Sequence, residues 1–98
     1  MLGPIKVKHG HVTLSDTTPT LTLVDQGDEV TYHVSFSVQN IDEEAIVYLG
    51  GSGVTSSSYG VRLSPNDKID FSEMPRNVPI YAISNVDGSA IAVLRFIR

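Results

Sequence analysis

The chain reads as all-β, a small antiparallel β-sandwich or jelly-roll-like barrel of about eight strands. Three observations predict this. Across residues 30–38, Val30, Tyr32, Val34, Phe36 and Val38 alternate with Thr31, His33, Ser35 and Ser37, the period of a half-buried strand. Clusters of turn-forming residues recur roughly every ten positions along the chain. No window long enough for a helix carries the spacing of three and four that an amphipathic helix needs.

Taken in order, residues 5–9 and 11–14 alternate weakly on either side of Gly10, and residues 20–24 alternate well. Residues 30–38 form the clearest strand, with His33 and Gln39 on its wet face. Residues 45–49 and 80–83 are apolar throughout, whereas 61–63 and 69–71 are short. β-branched and aromatic side chains, which suit a pleated surface, dominate most of these segments. Between them lie Asp16-Thr17-Thr18-Pro19, Asp25-Gln26-Gly27-Asp28, Pro65-Asn66-Asp67 and Asp87-Gly88. These combine a preset φ, tolerance of positive φ and local side-chain hydrogen bonds. Val86-Asp87-Gly88-Ser89 reads as a two-residue hairpin joining the last two strands.

The closing strand is apolar on both faces: Ala90, Ala92, Leu94 and Phe96 on one, Ile91, Val93 and Ile97 on the other. Antiparallel strands of a lone sandwich usually keep one face wet. Two explanations stand: cover from another subunit, or a central position beneath a loop such as residues 50–59.

With 98 residues the chain is one domain, divided into an N-terminal arm or first edge strand (1–10) and a β-sandwich (11–98). A chain this short has a modest core. The absence of cysteine removes disulfides, thiolate metal sites and a thiol nucleophile. Subunit association is then the expected source of further stability. A net charge of −4, with seven Lys and Arg, argues against nucleic acid as a partner. No apolar run approaches a membrane span, and Gly3 and Pro4 interrupt the segment where a signal peptide needs a continuous apolar core. Synthesis in a cytoplasm, with no membrane partner, is the expectation.

Candidate chemical groups are few. His9 and His11, two apart, project from one face of an extended strand as a two-imidazole half-site, but a metal site needs further ligands. His33 can supply one only from a neighbouring strand. Asp42, Glu43 and Glu44 lack the alternation and shaping glycine of a calcium loop and read as a solvated tip. Gly50-Gly51-Ser52-Gly53 opens onto no helix and has no following lysine, so it reads as a sharp bend and not as a phosphate cradle. No serine lies in a nucleophile elbow. The chain is expected to be no enzyme, with no catalytic residues, metal or cofactor.

One set of motifs points further. Val38-Gln39-Asn40, Val47-Tyr48-Leu49-Gly50-Gly51, Val54-Thr55, Leu63-Ser64-Pro65-Asn66, Ile80-Tyr81-Ala82-Ile83 and Val93-Leu94-Arg95 resemble a small β-module found in virion structural proteins of tailed bacteriophages. The resemblance covers roughly residues 11–95. Such modules often carry Pro-Gly where this chain has Pro65-Asn66, and the segment 72–79 is longer and richer in proline than expected. Pro75 and Pro79 stiffen it, which lowers the entropy lost on docking.

The resemblance implies a free-standing accessory subunit, above all a capsid decoration (cementing) protein. It would bind the major capsid protein lattice of an assembled phage head as a homotrimer and stabilise it. Its location would be the virion, after assembly in the host cytoplasm. On this reading Leu2, Ile5, Lys6, Val7 and Lys8 contact the capsid, and Ile91, Val93 and Ile97 form the subunit interface. Ser56, Ser57, Ser58 and Tyr59 form a partner-facing loop. The alternative is a tail- or fibre-associated receptor- or carbohydrate-binding module, for which Tyr59 beside the serines is the one good aromatic platform.

Overall fold

The alternating segments become eight strands with no helix among the described residues: β1 (Lys6–Thr13), β2 (Thr20–Leu21), β3 (His33–Asn40), β4 (Val47–Gly50), β5 (Val61–Leu63), β6 (Lys68–Ser72), β7 (Tyr81–Ser84) and β8 (Ala90–Ile97). The computed structural model describes residues 6–22, 33–72 and 80–97. The first part of the 30–38 strand, the turn at 25–28 and the proline-rich segment from 73 on lie outside those residues.

The strands form two antiparallel sheets of four, ordered β1-β8-β3-β6 (sheet A) and β2-β7-β4-β5 (sheet B). Pairing is nested: β4 pairs with β5, β3 with β6, β2 with β7 and β1 with β8. The chain is thus one long antiparallel ribbon with its tip between β4 and β5, rolled so that β3 also pairs with β8 and β4 with β7. That is the wind of a jelly roll. Consecutive strands share a sheet only at the tip.

Two expectations change. The two segments on either side of Gly10 merge into one strand, Lys6–Thr13, because Gly10 continues the ladder opposite Val93. Residues 86–89 do form a turn, closed by Ser89 N–H on Val86 O at 3.3 Å with Gly88 at φ 86°, but no hairpin. β7 and β8 belong to different sheets. The turn is instead held by the β1–β2 connection: Leu14 N–H donates to Ser89 O (2.7 Å) and Gly88 N–H to Leu14 O (2.9 Å).

Alternation sends Phe36, Val38, Ile91 and Val93 of sheet A inward against Val47, Leu49, Leu63 and Ala82 of sheet B. Phe36 stacks on Phe71 with ring centroids 5.6 Å apart, within the range aromatic pairs prefer.

Polar side chains are buried as well, Asn40 and Arg95 among them. Asn40, fully buried at the end of β3, donates through Nδ2 to Ala45 O (2.8 Å) and Leu63 O (3.1 Å), while its Oδ1 accepts Asp42 N–H (3.0 Å). Its backbone N–H donates to Asp67 O and its carbonyl accepts Asn66 N–H, both at 2.9 Å. One residue therefore ties β3, the β3–β4 loop, β5 and the β5–β6 turn together. Asn66 lies at φ 69°, the left-handed region that glycine and asparagine tolerate best. Asp42 Oδ1 accepts the N–H groups of Glu44 and Ala45, each at 2.8 Å, and these bonds hold its carboxyl below the usual aspartate range.

Replacing Asn40 by alanine leaves two carbonyls and an N–H without their buried partner; urea denaturation should show a loss of about 2–4 kcal/mol. Asn66→Gly should be close to neutral, whereas Asn66→Val should cost about 1–2 kcal/mol in the same assay. The Asp42 turn should hold at full strength above the ordinary aspartate range and weaken progressively as pH falls from there through the lowered value, because the open chain takes up the proton first. Amide exchange at Glu44 and Ala45 as a function of pH measures this.

Candidate functional surfaces

With the inward side chains committed to the core, the outer faces of the two sheets are the surfaces open to partners. On sheet A, the register sets His9, Leu94, Ser37 and Asp70 in one row, and His11, Ala92, Gln39 and Lys68 in the next. Apolar groups run along β8 through this polar surround. Leu94 is 37% exposed, and Ala90, Ala92 and Phe96 are half-buried. Val7, 56% exposed and opposite Phe96, extends the stripe onto β1. A shallow depression of about 220 Å³ lies over Ala92, whose small side chain leaves space between the flanking histidines and Ser37, Gln39 and Lys68. Asp70 accepts a hydrogen bond from Ser37 Oγ at 2.5 Å and pairs with Lys68 at 3.6 Å. Being exposed, that ion pair adds little to stability.

His9 and His11 do share one face and both are exposed. The strand that would bring His33 beside them is not their neighbour: β8 lies between β3 and β1, and the His33 backbone pairs with Ile97, beyond Ala92 and Leu94. Among the described residues no three His, Asp or Glu side chains gather as a metal site would require. The depression is also lined by Lys68, a cation that opposes metal capture.

The expected site residues fall into four groups. Leu2 and Ile5 lie outside the described residues. Lys6, Val7 and Lys8 belong to the edge strand β1, which runs without a break through the boundary at residues 10 and 11; Val7 is exposed. The subunit-interface assignment needs correction. Ile91 (0% exposed) and Val93 (4%) are in the domain's own core; Ile97 ends β8, paired with Lys6 and His33. The face left open is that of Ala92, Leu94 and Phe96. The loop 50–59 does not cover it, since that loop belongs to sheet B.

Ser56, Ser57, Ser58 and Tyr59 are exposed in the β4–β5 loop, as expected of a partner-facing segment. The loop is internally braced. Thr55 N–H donates to Ser58 O (2.8 Å), and Ser58 N–H returns to Thr55 O (3.3 Å) and Oγ1 (2.9 Å). Gly60 N–H donates to Leu49 O at 2.8 Å, closing the base. Buried Val54 folds back over Gly50, where a Cβ would come within 3.2 Å of Val54 Cγ2.

Tyr48 was not singled out by its sequence context. With Val47 and Leu49 facing inward, it projects from the outer face of sheet B, opposite Arg62, and meets the Tyr59 ring at a centroid distance of 4.9 Å. The strict inward–outward pattern of Val47-Tyr48-Leu49 was the available signal, hidden because all three residues are apolar or aromatic. No protein-family model matches the chain, and no curated protein matches it.

The two faces of β8 should respond differently to charge. Ile91→Asp should cost about 4 kcal/mol or more, by placing an unpaired carboxylate in the core, whereas Leu94→Asp should change stability by less than about 1 kcal/mol. Thermal denaturation of both variants tests the assignment.

Proposed function

We propose that the chain is a virion structural protein: a capsid decoration protein that binds the assembled head as a homotrimer and stabilises it mechanically, without catalysis. The observation that carries this reading is the apolar stripe of Val7, Leu94 and Phe96 on the outer face of sheet A. Contiguous apolar surface on an otherwise polar sheet face marks an interaction site. Burial there at about 25 cal/mol per Å² offsets the ordering cost of attachment, and repetition around a trimer multiplies weak contacts into avidity. Many copies on the lattice then oppose lateral separation of the shell under internal DNA pressure.

The phage-module resemblance supports the same reading at the level of fold. Its motif residues occupy structural positions: Asn40 and Asn66 in the buried polar tie, and Val47, Leu49, Leu63, Ala82 and Val93 in the core. Jelly rolls recur in viral shells and in lectins alike, so the fold alone does not choose. The exposed stripe favours attachment to a protein lattice. β1 itself forms the edge of the same sheet.

Deleting residues 1–10 would remove most of β1 and test folding together with binding, so point substitutions are the better probe. Wild-type protein should saturate purified expanded heads in hundreds of copies per particle. Val7→Asp combined with Leu94→Asp should lower occupancy at least tenfold while leaving the unfolding midpoint nearly unchanged. Wild-type occupancy by the folded double variant removes the assignment of this face, and a handful of copies per virion moves the protein to the tail.

A further inference from the structure

We infer that the β4–β5 loop and the outer face of sheet B form a second binding site, one that takes an uncharged saccharide. The site does not depend on where the domain attaches. Tyr59 is 47% exposed at the tip of the rolled ribbon, yet its ring is supported by the half-buried Tyr48 ring 4.9 Å away, at an interplanar angle of 48°. An exposed aromatic ring propped by a second ring is pre-organised, so little rotamer entropy remains to be lost when a ligand stacks on it.

Beside Tyr59 lies a cleft of about 300 Å³, bounded by Gly51, Gly53, Ser58, Tyr59 and Gly60. That is near the lower limit of small-ligand sites, about 300 Å³. Glycines make most of its wall, so a ligand meets bare backbone there and not side chains. The Ser58 hydroxyl both donates and accepts. No charged side chain lines the cleft. A flat apolar ring face beside hydroxyl and backbone groups, with no charge, matches a pyranose: its C–H face packs on an aromatic ring and its hydroxyls seek donors and acceptors in equal measure. A phosphate or carboxylate would find no cation within the cleft. Arg62, cross-strand from Tyr48 and exposed, lies on the same face and can meet hydroxyls of a second sugar unit. The mutual Thr55–Ser58 bonds hold the loop shape without a ligand, as a preformed site requires.

Tyr59 is the contact residue and Tyr48 a positioning residue. The test uses the whole chain, an array of neutral oligosaccharides, and two-dimensional NMR titration with methyl glucoside, methyl galactoside, methyl mannoside and N-acetylglucosamine. At least one probe should shift resonances of residues 50–60 and of Tyr48 selectively, with dissociation constants in the millimolar range for single sugars. Tyr59→Ala should weaken that binding at least tenfold. Tyr48→Ala should weaken it while also narrowing the Tyr59 side-chain signals through added motion, and Tyr48→Phe should restore both. Leu94→Asp should leave saccharide binding intact, and Tyr59→Ala should leave head occupancy intact, so failure of one proposal is distinguishable from failure of the other. No selective shift with any neutral probe up to tens of millimolar, or shifts produced only by a proline-rich peptide, would overturn the inference.

Discussion

The Asn40 carboxamide is the constraint on which the arrangement of both sheets depends. A buried amide is tolerable only when its polar atoms are satisfied. Here the partners come from the β3–β4 loop on one side and from β5 on the other. Because Asn40 is also in register with Ile91 of β8, holding it holds the phase of β3, and through β8 the phase of sheet A. A slip of one residue would turn Phe36 and Val38 to solvent and bring Ser37 and Gln39 into the core. The exposed stripe on sheet A therefore exists because a polar group elsewhere forbids the alternative register.

The sandwich geometry sets the two candidate surfaces apart. The outer faces of the sheets point away from each other across the core, so a domain held by the sheet A stripe presents the Tyr48–Tyr59 pair on its far side. The chemistry differs accordingly. Val7, Leu94 and Phe96 offer apolar area suited to a protein surface, whereas the glycine-walled cleft beside Tyr59 offers little area but well-placed polar groups. An attachment face profits from size and repetition; a recognition loop profits from rigidity.

Strand positions were legible because period-two patterning or a short β-branched and aromatic run, bounded by turn residues, marks each segment, and β5 runs from Val61 to Leu63 as the sequence suggests. Sheet membership was not legible. The turn at Asp87-Gly88 has hairpin chemistry, but whether its flanking strands pair is decided by the competing bonds from Leu14 and by nesting with β1 and β2. The two faces of β8 were distinguishable only in retrospect. Both are largely apolar, and the face of Ile91 and Val93, which also carries the buried Arg95, packs inward while Ala92 and Leu94 are left outside. Asn40 and Asn66 stand in the sequence as a strand end and a turn, and nothing in their spacing says that they bond to each other.

Nested pairing also explains why a recognition site would lie at the β4–β5 tip. At the end of the sandwich where the chain crosses between sheets, loops are bonded to one another: Ser84 N–H to Ser15 O, Asn85 N–H to Ile46 O, and Ile46 N–H to Asn85 Oδ1. A change in any of them disturbs two sheets at once. The β4–β5 loop returns its bonds to itself and to Leu49, within one sheet. Its outward residues, Ser56 to Tyr59, can thus vary in chemistry while Val54 and Gly60 keep the closure. Of the described loops, this one can change its ligand at the smallest cost to the ladder that supports it, because the ribbon turns back there and no later strand pairing depends on its side chains.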